Sequence, residues 1–411
     1  MKRHNSQSGF AVLYATMLIL GITLAMVGPL SLLSLSSQKM TRKAEASSQA
    51  LFAAESGVED VSYRIKSFLP YSSSYAIIVG SSTATVSVAE QGSVKTITVE
   101  GQEQNNVRKL ETVLAVSTSN VSFFYGAHVG DAGLIMDNNS QVIGNVFANG
   151  DVRGDPGAIV MDTVTVAGAG NHIEDITVEG DAYADECQDA DIGGILYTNN
   201  NDDCEFGSFE VLGAPSGPVP LPITVQDIQQ WKDEAAEGGV IMGNYNLDGT
   251  DAISLGPKKI VGNLLVSDKA VLTLTGNLWV TGSVDVKNDA RVRLDASYGA
   301  TSGVIVADGL ITLQNSSVSS GSGISGSYLM YLSTNTGNPA LNVKNNAITD
   351  IIYASAGWIL VENNDELREV TGYGVHLKNN AVVTYETGLS FATFSSGPGA
   401  GFEVTSWKEI E

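Results

Sequence analysis

The chain has 411 residues, 43% of them hydrophobic, enough for one large domain or two to three ordinary ones with buried cores. Asp and Glu number 45 against 22 Lys and Arg, a net charge of -23, so nucleic acid is excluded as a partner on charge, because binding it needs a basic footprint. The two cysteines, Cys187 and Cys204, exclude a disulfide-dense scaffold and a four-Cys zinc site.

The first element is an apolar run from Phe10 to about Leu35, with no charged residue between Arg3 and Lys39. A spanning helix needs about 20 mostly apolar residues, so this run is long enough to cross a bilayer. A secretory signal has a shorter apolar core, about 7 to 15 residues, followed by a small-residue cleavage site, and neither feature is present. The run is preceded by a polar leader, residues 1–9, which carries Lys2 and Arg3 and ends in Gly9-Phe10. This arrangement resembles the class III leader of type IV pilin-like proteins. The resemblance implies that a prepilin peptidase cuts between Gly9 and Phe10, that Phe10 becomes the methylated N-terminus, and that the helix is retained. It places the chain in the cytoplasmic membrane as a single pass with its N-terminus inside, and at the cell surface or in an extracellular filament after assembly. Lys39, Arg42 and Lys43 on the far flank oppose that orientation, since cytoplasmic flanks normally carry the excess of Lys and Arg. The leader is given the greater weight.

Leu51, Ala54, Val58, Val61, Ile65 and Phe68 then follow at steps of 3, 4, 3, 4 and 3, one apolar stripe on a helix. The reading is one helix over 10–68, its membrane part about 10–35, bent or locally melted at Gly28-Pro29 and ended by Pro70. Residues 69–120 read as a small antiparallel sheet, from the alternation in Ala84–Val88, Val94–Val99 and Leu110–Val116 with a turn at Gln91-Gly92. The segment "QALFAAESGVEDVSYRI" resembles PilX-type minor pilins and the K-type pseudopilins of type II secretion. That resemblance implies other pilin or pseudopilin subunits as partners of the helix. Most such proteins carry Glu five residues into the mature chain, where this sequence has Tyr14; PilX- and K-type subunits include members without it.

From residue 121 onward, short Val, Ile and Leu strands are broken by Gly, Asn and Asp. "GNLLVSDKAVLTL" from Gly262 and "GSVDVKNDARVRL" from Gly282 coincide at a period of 20. The same pattern, an apolar residue followed two positions later by Asn or Asp, starts at Met136, Val266, Val286, Leu313, Val343, Val361 and Leu377. From Val266 the steps are 20, 27, 30, 18 and 16, which fits a β-helix whose loops vary while its turns stay in register. Asn and Asp suit such turns because they tolerate left-handed backbone, and stacked Asn can form a ladder. A β-sandwich with ordinary Asn-Gly turns is the alternative, but it does not require a repeated side-chain register. Solenoids of this kind occur in polysaccharide lyases, adhesins and bactofilin-like polymer formers. One helix, about 224–237, interrupts the region, with a Thr224-x-x-Asp227 capping pattern and a Gly238-Gly239 stop. The expected fold is α+β: a long N-terminal transmembrane and amphipathic helix, a small antiparallel sheet, and a β-helix domain over 121–411.

No catalytic constellation is visible. The histidines are His4, His128, His172 and His376, with no metal-binding pair spacing, and no nucleophile-elbow or phosphate-loop pattern occurs. Cys187 and Cys204 lie in an Asn-rich segment and suit a single disulfide, with two free thiols as the alternative. The acids Asp181, Asp185, Glu186, Asp189, Asp191, Asp202, Asp203 and Glu205 cluster around them. Asp185, Asp189, Asp191, Asp202 and Asp203 are weak calcium candidates, because Ca²⁺ takes six to eight oxygens, but the EF-hand pattern is missing and a solvated loop is the simpler reading. Arg291 and Arg293 beside Asp289 and Asp295 read as a solvated strand face. Trp279, Trp358 and Trp407 could offer a sugar-stacking platform, with buried or capping aromatics as the simpler reading. The expected function is a non-enzymatic, minor pilin-like subunit without a cofactor, displaying its head for adhesion or surface contact, with surface polysaccharide as a possible partner. The alternatives are a membrane-tethered carbohydrate-active enzyme and a bactofilin-like polymer former.

Overall fold

A computed structural model describes residues 8–66, 71–91, 94–116, 118–395 and 402–410. One helix, α1 (Ser8–Lys66), runs for 59 residues, about 90 Å, and stays helical through Pro29, so the expected melting there does not occur. The leader residues 1–7 and the expected helix end at Phe68 and Pro70 lie outside the described residues. Ala46, Ala50, Ala53, Ala54, Val58, Val61 and Ile65 are buried against a sheet, while Leu51 lies at its margin.

That sheet is antiparallel, in the order β1 (Ser74–Val79), β2 (Ser82–Gln91), β3 (Val94–Glu103), β4 (Asn106–Val116), then the C-terminal strand Phe402–Ile410. Ala84, Val86, Val88, Ile97, Val99, Leu110 and Leu114 form its buried face under α1. The contact is close because small residues line it: a Cβ at Gly101 would fall 2.0 Å from the carbonyl oxygen of Ala50. The place of Phe402–Ile410 corrects the expectation that 121–411 forms one domain. Its residues pair with β4, register Val404↔Leu114 through Ile410↔Lys109, on the edge that β3 leaves open, and so complete the sheet.

Between β4 and that last strand the chain forms stacked, three-sided turns joined by parallel ladders. One continuous column runs Ile241, Ile260, Val280, Ala307, Ser333, Ala354, Gly372, Val129, Ala148, Val166. At one register position Val266, Val286, Leu313, Val343, Val361, Leu377 and Met136 all point inward with at most 1% exposure, and they pair successively in that order. The chain therefore enters the stack in its middle. Residues 127–211 build one half outward, the segment 212–239 returns along the outside, and 240–384 builds the other half until it abuts residue 127.

The returning segment is fastened coil by coil. Gly213 N–H donates to Asn199 Oδ1 at 2.8 Å, Gly168 N–H to Ser216 O at 2.9 Å, and Val219 N–H to Asn149 Oδ1 at 2.9 Å. It ends in α2 (Val225–Glu237), whose capping box joins Thr224 and Asp227 and whose Ile228, Trp231 and Ala235 are buried. Lys232 Nζ lies 2.5 Å from Asp308 Oδ1, and Trp279 Nε1 donates to Asp308 Oδ2 at 2.9 Å. Burial pushes the Asp308 carboxyl up, but the bonds from Lys232, Trp279 and Thr334 prevail and hold it below the ordinary range.

The seven repeat positions meet in a single side-chain ladder. Asn138 Nδ2 donates to Asn379 Oδ1, and the same bond recurs from Asn379 to Asn363, Asn363 to Asn345, Asn345 to Asn315 and Asn315 to Asn288, ending with Asn288 on Asp268 Oδ1, all at 2.9 to 3.0 Å. Every rung sits at a corner with positive φ, from 50° to 70° at these positions and 56° at Asp268. The amide dipoles point the same way, toward a carboxylate. The bond from Asn288 holds the Asp268 carboxyl below its usual range.

Candidate functional surfaces

The N-terminal part of α1 touches nothing. Residues 10–45 are all exposed, including Phe10 at 66% and Tyr14 at 67%. By length and composition the helix suffices to cross a membrane. Three of its hydroxyls bond within the helix, Thr16 Oγ1 donating to Leu13 O, Thr23 Oγ1 to Leu20 O and Ser31 Oγ to Val27 O, which suits an apolar surrounding. The Gly9–Phe10 bond lies inside this helix, and the Tyr14 ring stands 5.7 Å from that of Phe10. Lys39, Arg42 and Lys43 are exposed beyond the apolar run.

At the outer end of the 127–211 half, Cys187 and Cys204 are joined in a disulfide with an S–S distance of 2.06 Å. Cys187 lies in the strand Glu186–Gln188 and Cys204 just beyond the next coil's strand Asn200–Asp202, so the bond ties the last coil to its neighbour. The calcium candidates are not gathered: among the described residues no three His, Cys, Asp or Glu side chains are placed to hold a metal. Asp185 instead accepts Gly170 N–H at 2.7 Å and Asn199 Nδ2 at 2.8 Å; Asn199 and then Gly170 hold its carboxyl below the usual range. Asp189 and Asp203 occupy left-handed corners. The three tryptophans do not share a platform, since Trp279 belongs to the α2 clamp, Trp358 packs on Gly374 and Trp407 lies in the first sheet. Arg291 and Arg293 are exposed on one strand face, and Asp295 caps the short turn Ala296–Tyr298 through Ser297.

Charged groups that sequence reading passed over meet at one corner of the stack. Arg368 Nε donates to Asp350 Oδ1 at 2.8 Å, its Nη1 pairs with Glu386, and Tyr328 OH donates to Glu386 Oε2 at 3.3 Å. Asp350 is 5% exposed, and burial raises its carboxyl despite the bonds from Leu329 N–H and Arg368. These groups and the Gly/Ser loop 320–328 line an open cleft of about 310 Å³. Asp350 and Arg368 are separated by 18 residues, the same step as the repeat from Val343 to Val361, which was the available signal.

Two other buried acids stand apart from this cleft. Asp365 occupies a corner where neighbouring coils have Ala347 and Ala381; burial pushes it up to about 7 although Ala347 N–H donates to it at 2.7 Å. Glu369 is fully buried, accepts from Thr371 Oγ1, and is raised well above the ordinary range by that burial; among the described residues its Oε2 has no partner.

No family model matches the chain, and no curated protein matches it. Among solved structures, it is similar to the competence-associated pilin ComZ from Thermus thermophilus, at 10% identity and a TM-score of 0.28, over 89% of this chain and 97% of that one. It is also similar to an ice binding protein from an Antarctic bacterium, Flavobacteriaceae, at 11% identity and a TM-score of 0.19, over 64% of this chain and 81% of that one. At those scores neither likeness carries an argument about role.

Proposed function

We propose that this chain is a minor pilin-like subunit, anchored by α1, whose stacked ladders form a β-helix head displayed for adhesion or surface contact. The observation that supports this reading most is the division of one helix into two surfaces. Its first part is apolar and unpartnered, suited to lipid or to the helices of neighbouring subunits, and its second part is the spine of a small sheet domain. The head is inserted between two adjacent strands of that sheet. In this reading a prepilin peptidase removes residues 1–9, the protein waits in the cytoplasmic membrane with its N-terminus inside, and the head acts by binding and not by catalysis.

Tyr14 argues for a minor, tip-proximal place. It offers no carboxylate to a neighbour's N-terminal amine, and leaving one member of a buried charge pair uncompensated costs about 3 to 5 kcal/mol. Co-expression with a prepilin peptidase, followed by intact-mass measurement, tests the reading. The expected product begins at Phe10, and a mature protein that keeps Met1, or that begins beyond residue 30, overturns it.

A further inference from the structure

We propose that the corner cleft between the loop 320–328 and the side chains of Asp350, Arg368 and Glu386 binds one neutral sugar unit of a surface glycan. The inference deepens the display reading and rests on it for its biological setting.

Three consecutive coils each contribute one charged residue at this corner, and they hold one another in place. Asp350 is buried, accepting Leu329 N–H at 3.0 Å and Arg368 Nε at 2.8 Å, so it fixes the guanidinium without reaching solvent itself. Arg368 and Glu386 keep 40% and 44% of their side chains exposed. Among the described residues Arg368 Nη2 carries no bond, which leaves two N–H donors facing the cleft beside the remaining lone pairs of Glu386. The opposite wall adds the exposed Ser325 and an apolar surface at Ile324, and the loop holds its shape through Gly323 and Gly326, both at φ 88°.

This set selects its ligand by exclusion. An anion would meet the exposed carboxylate of Glu386, and a cation would meet the exposed guanidinium of Arg368. A neutral polyol supplies both donors and acceptors, matches the mixed lining, and can lay an apolar ring face on Ile324. At about 310 Å³ the cleft lies at the lower end of small-ligand pockets, about 300 to 1,000 Å³, which suits one ring of a longer chain.

The test titrates detergent-solubilised full chain with neutral methyl hexosides and their oligosaccharides, and with a uronate and an amino sugar as charged counterparts, read by saturation-transfer NMR and calorimetry. Saturable binding of a neutral sugar, in roughly the millimolar range, is expected. Ser325→Trp, at an exposed position without a bonded partner among the described residues, fills the cleft and should weaken that binding at least about tenfold with an unchanged thermal midpoint. Absence of saturable binding to any neutral sugar, preference for either charged sugar, or binding indifferent to Ser325→Trp overturns the inference. The display reading is separable: Ser325→Trp should still be processed at Gly9–Phe10, and a wild-type chain that binds sugar but is never processed sinks display while the cleft stands.

Discussion

Replacing Asn345 probes what the side-chain ladder contributes. Its Nδ2 donates to Asn315 Oδ1 at 3.0 Å, its Oδ1 accepts from Asn363 Nδ2 at 2.9 Å, and its backbone sits at φ 61°. Asn345→Gly keeps the left-handed corner and loses both bonds. At about 0.5 to 1.5 kcal/mol net per bond, and at the low end because the position is partly exposed, the loss is about 1 to 2 kcal/mol. Asn345→Ala loses the same bonds and adds the cost of a Cβ in left-handed backbone, about 1 to 2 kcal/mol, for a total of about 2 to 4 kcal/mol. Glycine should therefore be the more stable variant here, the reverse of its usual penalty of about 0.5 to 1 kcal/mol relative to alanine in regular structure. Urea denaturation of the full chain in detergent, followed by circular dichroism, measures both. If Asn345→Ala equals or exceeds Asn345→Gly, or if both match wild type, the ladder does not hold the corner as argued.

Asp365 should make stability pH-dependent. Its folded value of about 7 lies above the ordinary 3.8, so the native state holds the extra proton and stability falls as pH rises from about 4 to 7, by at most about 4 kcal/mol. Asp365→Asn should flatten that slope and raise the denaturation midpoint at pH 8; an unchanged slope counts against the assignment. Reducing Cys187–Cys204, with a sequence separation of 17, should cost about 3 kcal/mol, and hydrogen exchange should show the loss confined to residues 182–211. Gly101→Val should destabilise the first sheet by about 3 kcal/mol or more, because its Cβ would collide with the backbone of α1, and calorimetry of the variant should show the earlier transition.

The ladder corners were legible in the sequence because left-handed backbone is a local demand that selects Asn and Asp at each turn, and coil length then sets their spacing. The order of the coils was not, because Met136 rests on Leu377 through packing across a joint that no local pattern encodes. Phe402–Ile410 reads from sequence as another short strand of the head, and only the open edge of β4 determines where it goes. The corner cleft was missed for a related reason. Asp350, Arg368 and Glu386 look like scattered surface charges until consecutive coils superimpose them. The apolar part of α1 was the plainest feature, since a long uncharged run needs no tertiary context to be recognised.

The insertion of the head between two neighbouring strands has a mechanical consequence. The chain leaves the first sheet after β4 and rejoins it at Phe402, and on the head side the segments Thr118–Asn120 and Thr393–Ser395 pair with each other. The head hangs from two covalent tethers rooted side by side. A pull on the stacked region is shared between them, so each strand bears a fraction of the load. Two tethers also resist twisting, so torque on the stacked region passes to the first sheet, where a single linker would let the region spin.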